Sequence, residues 1–288
     1  VAHDVELEPT DLDDLAALAA RGRARDGGLP FASDPAFLRS RWLGEGVATR
    51  AHRDDGGRLL AAAALRPAGE GLRLAIIIDP SVGASADAAA LLDWGLGLAG
   101  ERRRAVTVET ESLTDAQAGL FASRGLRQVF AEDVLRRDLA DPVAAPVWPA
   151  GAVLHDWDAE TAARFFAVYD AAFRERPGFP GDPAGTWIGG LEEDDEFRPG
   201  WSVLVELPDV GDAGFVTAAV GWVDQVGVIA EARGRGLGAA LTAEALARMR
   251  ADGTAEAWLT VNVDNPGARN LYLGLGFAPA GRRARFEA

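Results

Sequence analysis

The stretch Arg233-Gly-Arg-Gly-Leu-Gly238 carries the clearest chemical signal in this sequence. Gly234, Gly236 and Gly238 alternate with Arg233, Arg235 and Leu237, and residues without Cβ let backbone N–H groups close on a phosphate. A strand-like run, Val226-Gly227-Val228, precedes the loop, and a helix start follows it, where free amides suit an anion. The two arginines add fixed positive charge. An anionic coenzyme is what such a loop would serve.

The surrounding pattern predicts elements that hold the loop in place. Residues 152–157, 201–207, 214–218, 222–228, 257–263 and 277–286 read as strands, and 158–173 as a helix capped by Asp158. Leu237, Leu241, Ala245 and Met249 recur every fourth residue, so the helix that opens at the loop has one apolar stripe. A second helix spans 266–273, and residues 174–200 read as a loop with a short helix around Trp187. The acidic run Glu192–Glu196 reads as a solvated face. These elements make a mixed α/β layer.

An earlier part of the chain echoes the same order. Residues 72–79 resemble the strand before the loop, 87–100 the following helix and 106–109 the next strand. Leu120-Phe-Ala-Ser-Arg-Gly-Leu126 lines up with Leu271-Tyr-Leu-Gly-Leu-Gly-Phe277. A duplicated domain is expected. The first copy has Gly83-Ala-Ser-Ala-Asp-Ala88 in place of the glycine loop, and Phe121 in place of Tyr272. A phenyl ring cannot donate a proton, so the first copy is expected to do no chemistry. Asp141 to Gly151 carries three prolines in eleven residues and reads as a linker. The expected organisation is a degenerate domain over 1–140, a linker over 141–150 and a working domain over 151–288.

Composition narrows the chemistry. The chain has 288 residues and a net charge of −15, and all 29 of its basic residues are arginine. An acidic surface repels polynucleotide phosphates and favours a cationic small substrate. There is no cysteine, which removes thiolate metal sites and a cysteine nucleophile, and His3, His52 and His155 lie far apart, so no metal site is expected. His155 reads as structural. No apolar run reaches the roughly 18 residues of a membrane span, and the N-terminal residues are acidic, unlike a signal sequence. A soluble cytoplasmic protein is expected.

Val226-x-Val228, Arg233-Gly-x-Gly-x-Gly238, Leu259-x-Val261, Asn265, Ala268, Leu271-Tyr272 and Gly276-Phe277 together resemble the GNAT N-acetyltransferase superfamily. The tandem arrangement is similar to mycothiol synthase and related two-domain acetyltransferases. Two departures stand out. Ala230 replaces a proline usual before the loop, and Trp222 stands where the mycothiol synthase group carries a glutamate base.

The resemblance implies direct transfer of an acetyl group from acetyl-CoA to a primary amine of a small molecule, through a ternary complex and a tetrahedral oxyanion. Backbone groups of Val226, Gly227 and Val228 would meet the pantetheine arm, with the Val228 amide facing the oxyanion. The pyrophosphate would lie on the loop residues Arg233, Gly234, Arg235, Gly236, Leu237, Gly238 and Ala239. Asn265 either bonds the coenzyme or caps the next helix. Tyr272 would protonate the leaving thiolate. From ordinary values of about 10 and about 8.5, full transfer is uphill by about 2 kcal/mol. Packing against Phe277 is the alternative role for this tyrosine.

Asp224 is the candidate base. Period-two alternation places it on the face of Val226 and Val228, with Gln225 facing the other way. Glu231 would only favour the helix start electrostatically. Trp187, Trp201, Trp222 and Phe179 are candidates for an acceptor pocket, core packing being the alternative. Two other functions compete with transfer, a non-catalytic acyl-CoA-binding sensor or structural module and a dinucleotide enzyme. The latter matches only part of its glycine fingerprint. A duplicated chain can form an internal pseudo-dimer and remain a monomer, or form a homodimer.

Overall fold

A computed structural model describes residues 3–82, 86–176 and 179–288 of the chain. The contrast drawn at residues 83–85 therefore lies outside the described residues. Packing divides the chain into two units, Val1–Val134 with Pro279–Ala288, and Leu135–Ala278.

The first unit contains β1 (His3–Val5), α1 (Leu12–Asp26), α2 (Pro35–Trp42), β2 (Ala48–Arg53), β3 (Leu59–Ala68), β4 (Gly71–Ile78), α3 (Ala86–Glu101), β5 (Val106–Thr110) and α4 (Asp115–Ser123). The first part of β6 (Arg127–Asp138) follows, and the C-terminal strand β12 (Ala278–Glu287) lies beside β5. Along α1, Leu12, Leu15, Leu18, Ala19 and Gly22 are buried at helical spacing. β4 alternates between buried and half-buried positions, as a strand with one covered face does. β4 pairs with β5 in parallel at four positions, from Leu72 opposite Val106 to Ala75 opposite Glu109.

The second unit takes the end of β6 and then β7 (Val153–Asp156), α5 (Ala162–Phe173), α6 (Ala184–Glu192), β8 (Val203–Leu207), β9 (Gly211–Ala219) and β10 (Trp222–Val228). α7 (Leu237–Ala251), β11 (Glu256–Asn262) and α8 (Pro266–Gly274) complete it. Its strand order is β11-β10-β9-β8-β7. The α7 stripe packs as its spacing predicts: Leu237, Leu241, Ala245 and Met249 are all buried in one core cluster. Burial of each large side chain there is worth roughly 1.5–3 kcal/mol.

The mixed α/β class holds in both units. Several local boundaries differ from expectation. Residues 158–161 form a turn in which Asp158 Oδ1 accepts from the amides of Glu160 and Thr161, and α5 begins only at Ala162. Residues 141–149 contain neither helix nor strand, in keeping with their prolines. Packing nevertheless breaks within β6, between Val134 and Leu135, and hands Pro279–Ala288 to the first unit. Strand pairing places them there, with Arg285 opposite Glu109 and Phe286 opposite Val108. Proline content marks where a chain is extended; it carries no information on which strand a distant segment joins. No helix among the described residues is long and apolar enough to cross a membrane.

Candidate active site

β10 is bound along one edge and open for most of the other. Its antiparallel partner β9 follows it from Trp222 opposite Ala219 to Val228 opposite Gly214. Its parallel partner β11 meets it at one registered position, Trp222 opposite Trp258, where the Trp258 amide donates to the Gly221 carbonyl at 2.9 Å. Beyond that point the two strands part. The Ile229 amide donates to the Ala213 carbonyl of β9 at 3.0 Å. Alternation along an antiparallel pair then directs the Gly227 amide to β9 and turns the amides of Val226 and Val228 toward the β11 side.

Gly227 has a packing role within this strand. A Cβ there would come 2.5 Å from Phe215 Cε1 and 3.1 Å from Ala172 Cβ, so the missing side chain lets α5 press against the sheet. Its amide is therefore not on the edge expected to meet a coenzyme.

The glycine loop forms the start of α7. Gly234 and Gly236 have φ values of +77° and +81°, the left-handed region that L side chains rarely adopt, which accounts for two of the three glycines. Gly238 serves contact instead, since a Cβ on it would stand 3.2 Å from Leu271 Cδ1. Gly236 is the N-cap and brings no side-chain oxygen. The first intrahelical bond runs from the Ala240 amide to the Gly236 carbonyl at 3.0 Å, so the amides of Leu237, Gly238 and Ala239 precede the helical ladder. α2, α4 and α8 are capped by Asp34, Thr114 and Asn265, whereas α1, α5 and α6 share with α7 the lack of a side-chain cap but have no glycine at the N-cap. An uncapped helix start behind an exposed glycine turn fits a phosphate group.

The loop arginines are already engaged. Arg233 Nε donates to the Val228 carbonyl at 3.2 Å and so ties the loop to the end of β10. Arg235 Nη1 pairs with Asp209 Oδ2 at 2.6 Å. Their charge is part of the loop, but an incoming anion meets Arg235 with a carboxylate already in place.

Asp224 sits in a β-bulge, where the register with β9 shifts between Val223 and Gln225. The bulge breaks the alternation that was expected to align Asp224 with Val226 and Val228. Its Oδ2 instead accepts from Thr217 Oγ1 at 3.3 Å. Thr217 shares its face of β9 with Phe215, which packs against the α5 aromatics Phe165 and Tyr169. Asp224 remains exposed. The protein around it still removes enough hydration to push its pKa up to about 6, with the Thr217 bond opposing the rise and Asp194 adding to it.

Tyr272 lies on α8, half-buried, at the edge of the core cluster that Val226 and Val228 also flank. Its ring meets Phe277 edge-on at 6.0 Å, and burial pushes the phenol up to about 12. Asn265 Oδ1 caps α8 by accepting from the Ala268 amide at 3.1 Å, the second of the two roles expected for it. Gly276, with φ +84°, leaves room that a Cβ would take from the Arg137 guanidinium.

The aromatic candidates divide. Trp201 is core, with Nε1 donating to Asp252 at 2.6 Å. Trp187 stacks on Tyr169 at 4.7 Å, and Phe179 joins Tyr169 at 5.4 Å. Burial, the largest cause, raises the pKa of the Tyr169 hydroxyl; Asp182, Asp170 and, least of all, Asp224 add to the rise, and Arg176 opposes it. Trp222 holds the closed end of the β10–β11 pair. His155 belongs to an ion network, its Nε2 2.9 Å from Glu206 Oε2, which Arg164 also contacts. Thr217 and Tyr169 were not singled out from the sequence, and Asp194 was read only as part of a solvated acidic run. The available signal was a hydroxyl inside the apolar run Phe215-Val216-Thr217-Ala218.

The Acetyltransferase (GNAT) family profile matches residues 151–277. The chain is 32% identical to the mycothiol acetyltransferase of Kocuria rhizophila over 292 residues, covering 92% of each. The chain belongs to the GNAT acetyltransferase family. A GCN5-related N-acetyltransferase from Sphaerobacter thermophilus shares the fold with a TM-score of 0.78 at 22% identity, over 100% of this chain and 95% of that one. A tandem GNAT protein from the clavulanic acid biosynthesis pathway does so with a TM-score of 0.66 at 19% identity, over 100% and 98%. The chain is thus a GNAT-type acetyltransferase built from two GNAT-like domains.

Proposed function

We propose that this acetyltransferase moves an acetyl group from acetyl-CoA to the primary amine of a small molecule, by direct attack within a ternary complex. The observation that carries the reading is the parting of β10 from β11 beyond Trp222, next to a helix start with no side-chain cap. Acetyl-CoA supplies an activated thioester. The amides of Val226 and Val228 would bind along the open edge of β10, with Val228 donating to the carbonyl oxygen as charge builds on it. The amides of residues 234–239 would take the pyrophosphate.

Asp224 is the proposed base. With its pKa near 6 it is a carboxylate at neutral pH, exposed to an approaching ammonium group. Tyr272 is the proposed donor to the departing sulfur. Its pKa of about 12 lies about 3.5 units above an ordinary thiol, so complete transfer costs about 5 kcal/mol. That is more than an unperturbed tyrosine would require. Hydrogen-bond donation to the sulfur, without full proton transfer, is the role these values favour.

The second domain is the proposed working copy. Phe121 stands at the counterpart of Tyr272, and β4 and β5 stay paired through Ala75 and Glu109 where β10 and β11 have one registered pair. The name of the Kocuria rhizophila relative favours a mycothiol-type acceptor within the amine class. Trp222 in place of a glutamate argues for a different base from that of the mycothiol synthase group.

Thiol release from acetyl-CoA, measured over a panel of small amines that includes a mycothiol-type acceptor, tests the proposal. Amine-dependent release with stoichiometric acetylated product is expected. Coenzyme binding without amine-dependent release would replace it with a binding function.

A further inference from the structure

The first domain has a cavity of its own. It encloses about 60 Å³ between α1, α2 and the ends of β4 and β5, with Leu29, Phe37, Leu38, Ile76 and Ile78 in its wall. One water needs about 10–15 Å³ by the same kind of measure, so there is room for several non-hydrogen atoms. Gly22, on the α1 side, keeps the space open: a Cβ there would meet only the Ile78 carbonyl, at 3.9 Å.

Two charged groups in this wall have no side-chain hydrogen bond among the described residues, though Glu111 lies within ion-pair range of two arginines. Arg23 has a buried Nε–H with no acceptor, and its guanidinium forms no ion pair among the described residues. Glu111 has Arg41 Nη1 at 3.5 Å and Arg283 Nη1 at 4.0 Å, with no hydrogen bond to its carboxylate among the described residues. Burial, the largest influence, raises its pKa against the pull of those arginines. Glu109 next to it is satisfied, taking a 2.7 Å bond from Arg66.

We propose that this cavity binds a small zwitterion of the amino-acid type, with its carboxylate on Arg23, its ammonium on Glu111 and an aliphatic side chain against Leu38, Ile76 and Ile78. A simple anion would face Glu111, and a simple cation would leave Arg23 unmet. The remaining charges in the wall are Arg41, Asp26 and Glu109, the last taking its bond from Arg66. The apolar wall requires a hydrocarbon part that glycine lacks. The site is independent of the transfer chemistry assigned to the second domain.

Calorimetric titration of the full chain with L-leucine tests this. Saturable binding is expected, with isocaproate, which lacks the ammonium, and isoamylamine, which lacks the carboxylate, each at least about tenfold weaker. Gly22→Leu fills the cavity and abolishes leucine binding. Arg23→Gln weakens leucine and isocaproate together but not isoamylamine, whereas Glu111→Gln weakens leucine and isoamylamine but not isocaproate. Thermal unfolding identifies any variant that fails to fold, and the two charge variants decide the matter if Gly22→Leu does. The proposal is overturned if leucine does not bind, if a folded Gly22→Leu binds it unchanged, or if either half-ligand binds as tightly as leucine.

Discussion

Thr217 Oγ1, on the buried side of β9, donates to Asp224 Oδ2 in the bulge of β10 across 3.3 Å. The bond favours the carboxylate while the surrounding protein disfavours it, and the balance leaves Asp224 near 6. A carboxyl group with that pKa changes charge within the range where transferases are assayed.

If Asp224 is the base, kcat/KM rises with pH through about 6, because only the carboxylate can accept a proton. Asp224→Asn should lower kcat by about 10²-fold or more and remove that limb. Thr217→Val withdraws a bond to the charged form, so the limb should move to higher pH with the plateau retained. Full activity in Asp224→Asn, measured as a pH–rate profile, would rule the assignment out.

Stability should respond in the opposite sense. The folded-state pKa is raised from 3.8 to about 6, so the contribution of Asp224 is most favourable below its ordinary value and is lost as pH rises through about 6. Asp224→Asn should therefore melt no lower than the wild type at pH 8, and its relative advantage should shrink toward pH 4. Melting temperatures at the two pH values check this.

Tyr272→Phe keeps the edge-on contact with Phe277 and removes only the hydroxyl. An unchanged melting temperature is expected, with an unchanged KM for acetyl-CoA and a loss of about 10²-fold in kcat. Since burial raises this phenol to about 12, no limb from it should be seen below about pH 11. Unchanged turnover would leave Tyr272 as packing alone.

Gly236→Ala forces a side chain into φ +81° at the N-cap of α7. About 1–2 kcal/mol of stability should be lost, with a higher KM for acetyl-CoA, because the same turn presents the amides of Leu237, Gly238 and Ala239. Gly227→Ala should destabilise by roughly 1–3 kcal/mol for another reason, the contact of the new methyl with fully buried Phe215. Denaturant unfolding beside coenzyme titration separates these effects.

Asp209→Asn releases Arg235 from its 2.6 Å ion pair on an exposed surface. Stability should hardly change, as exposed pairs contribute little. The KM for acetyl-CoA should fall, most clearly at low salt, because one carboxylate no longer competes for the arginine. An unchanged KM at low ionic strength would show that Arg235 does not meet the coenzyme.

Local features of the site were legible in advance. A glycine turn opening α7, the buried stripe from Leu237 to Met249 and a helix opening at Pro266 behind Asn265 follow from steric limits and spacing within a few residues. Such preferences operate along the chain, so a single sequence carries them. The position of Asp224 was misjudged because alternation assumes an unbroken strand, and nothing within residues 222–228 announces a bulge that exists only against β9.

The sequence by itself determined the acetyltransferase family, through a pattern spanning residues 226–277. Tertiary structure decided the rest: which face Asp224 occupies, that Thr217 reaches it, that Arg235 meets Asp209, and that β12 joins β5. These are relations between strands and loops far apart in the chain. Strand pairing and desolvation depend on what is packed alongside a residue, and a neighbour in space leaves no mark at the position it acts upon.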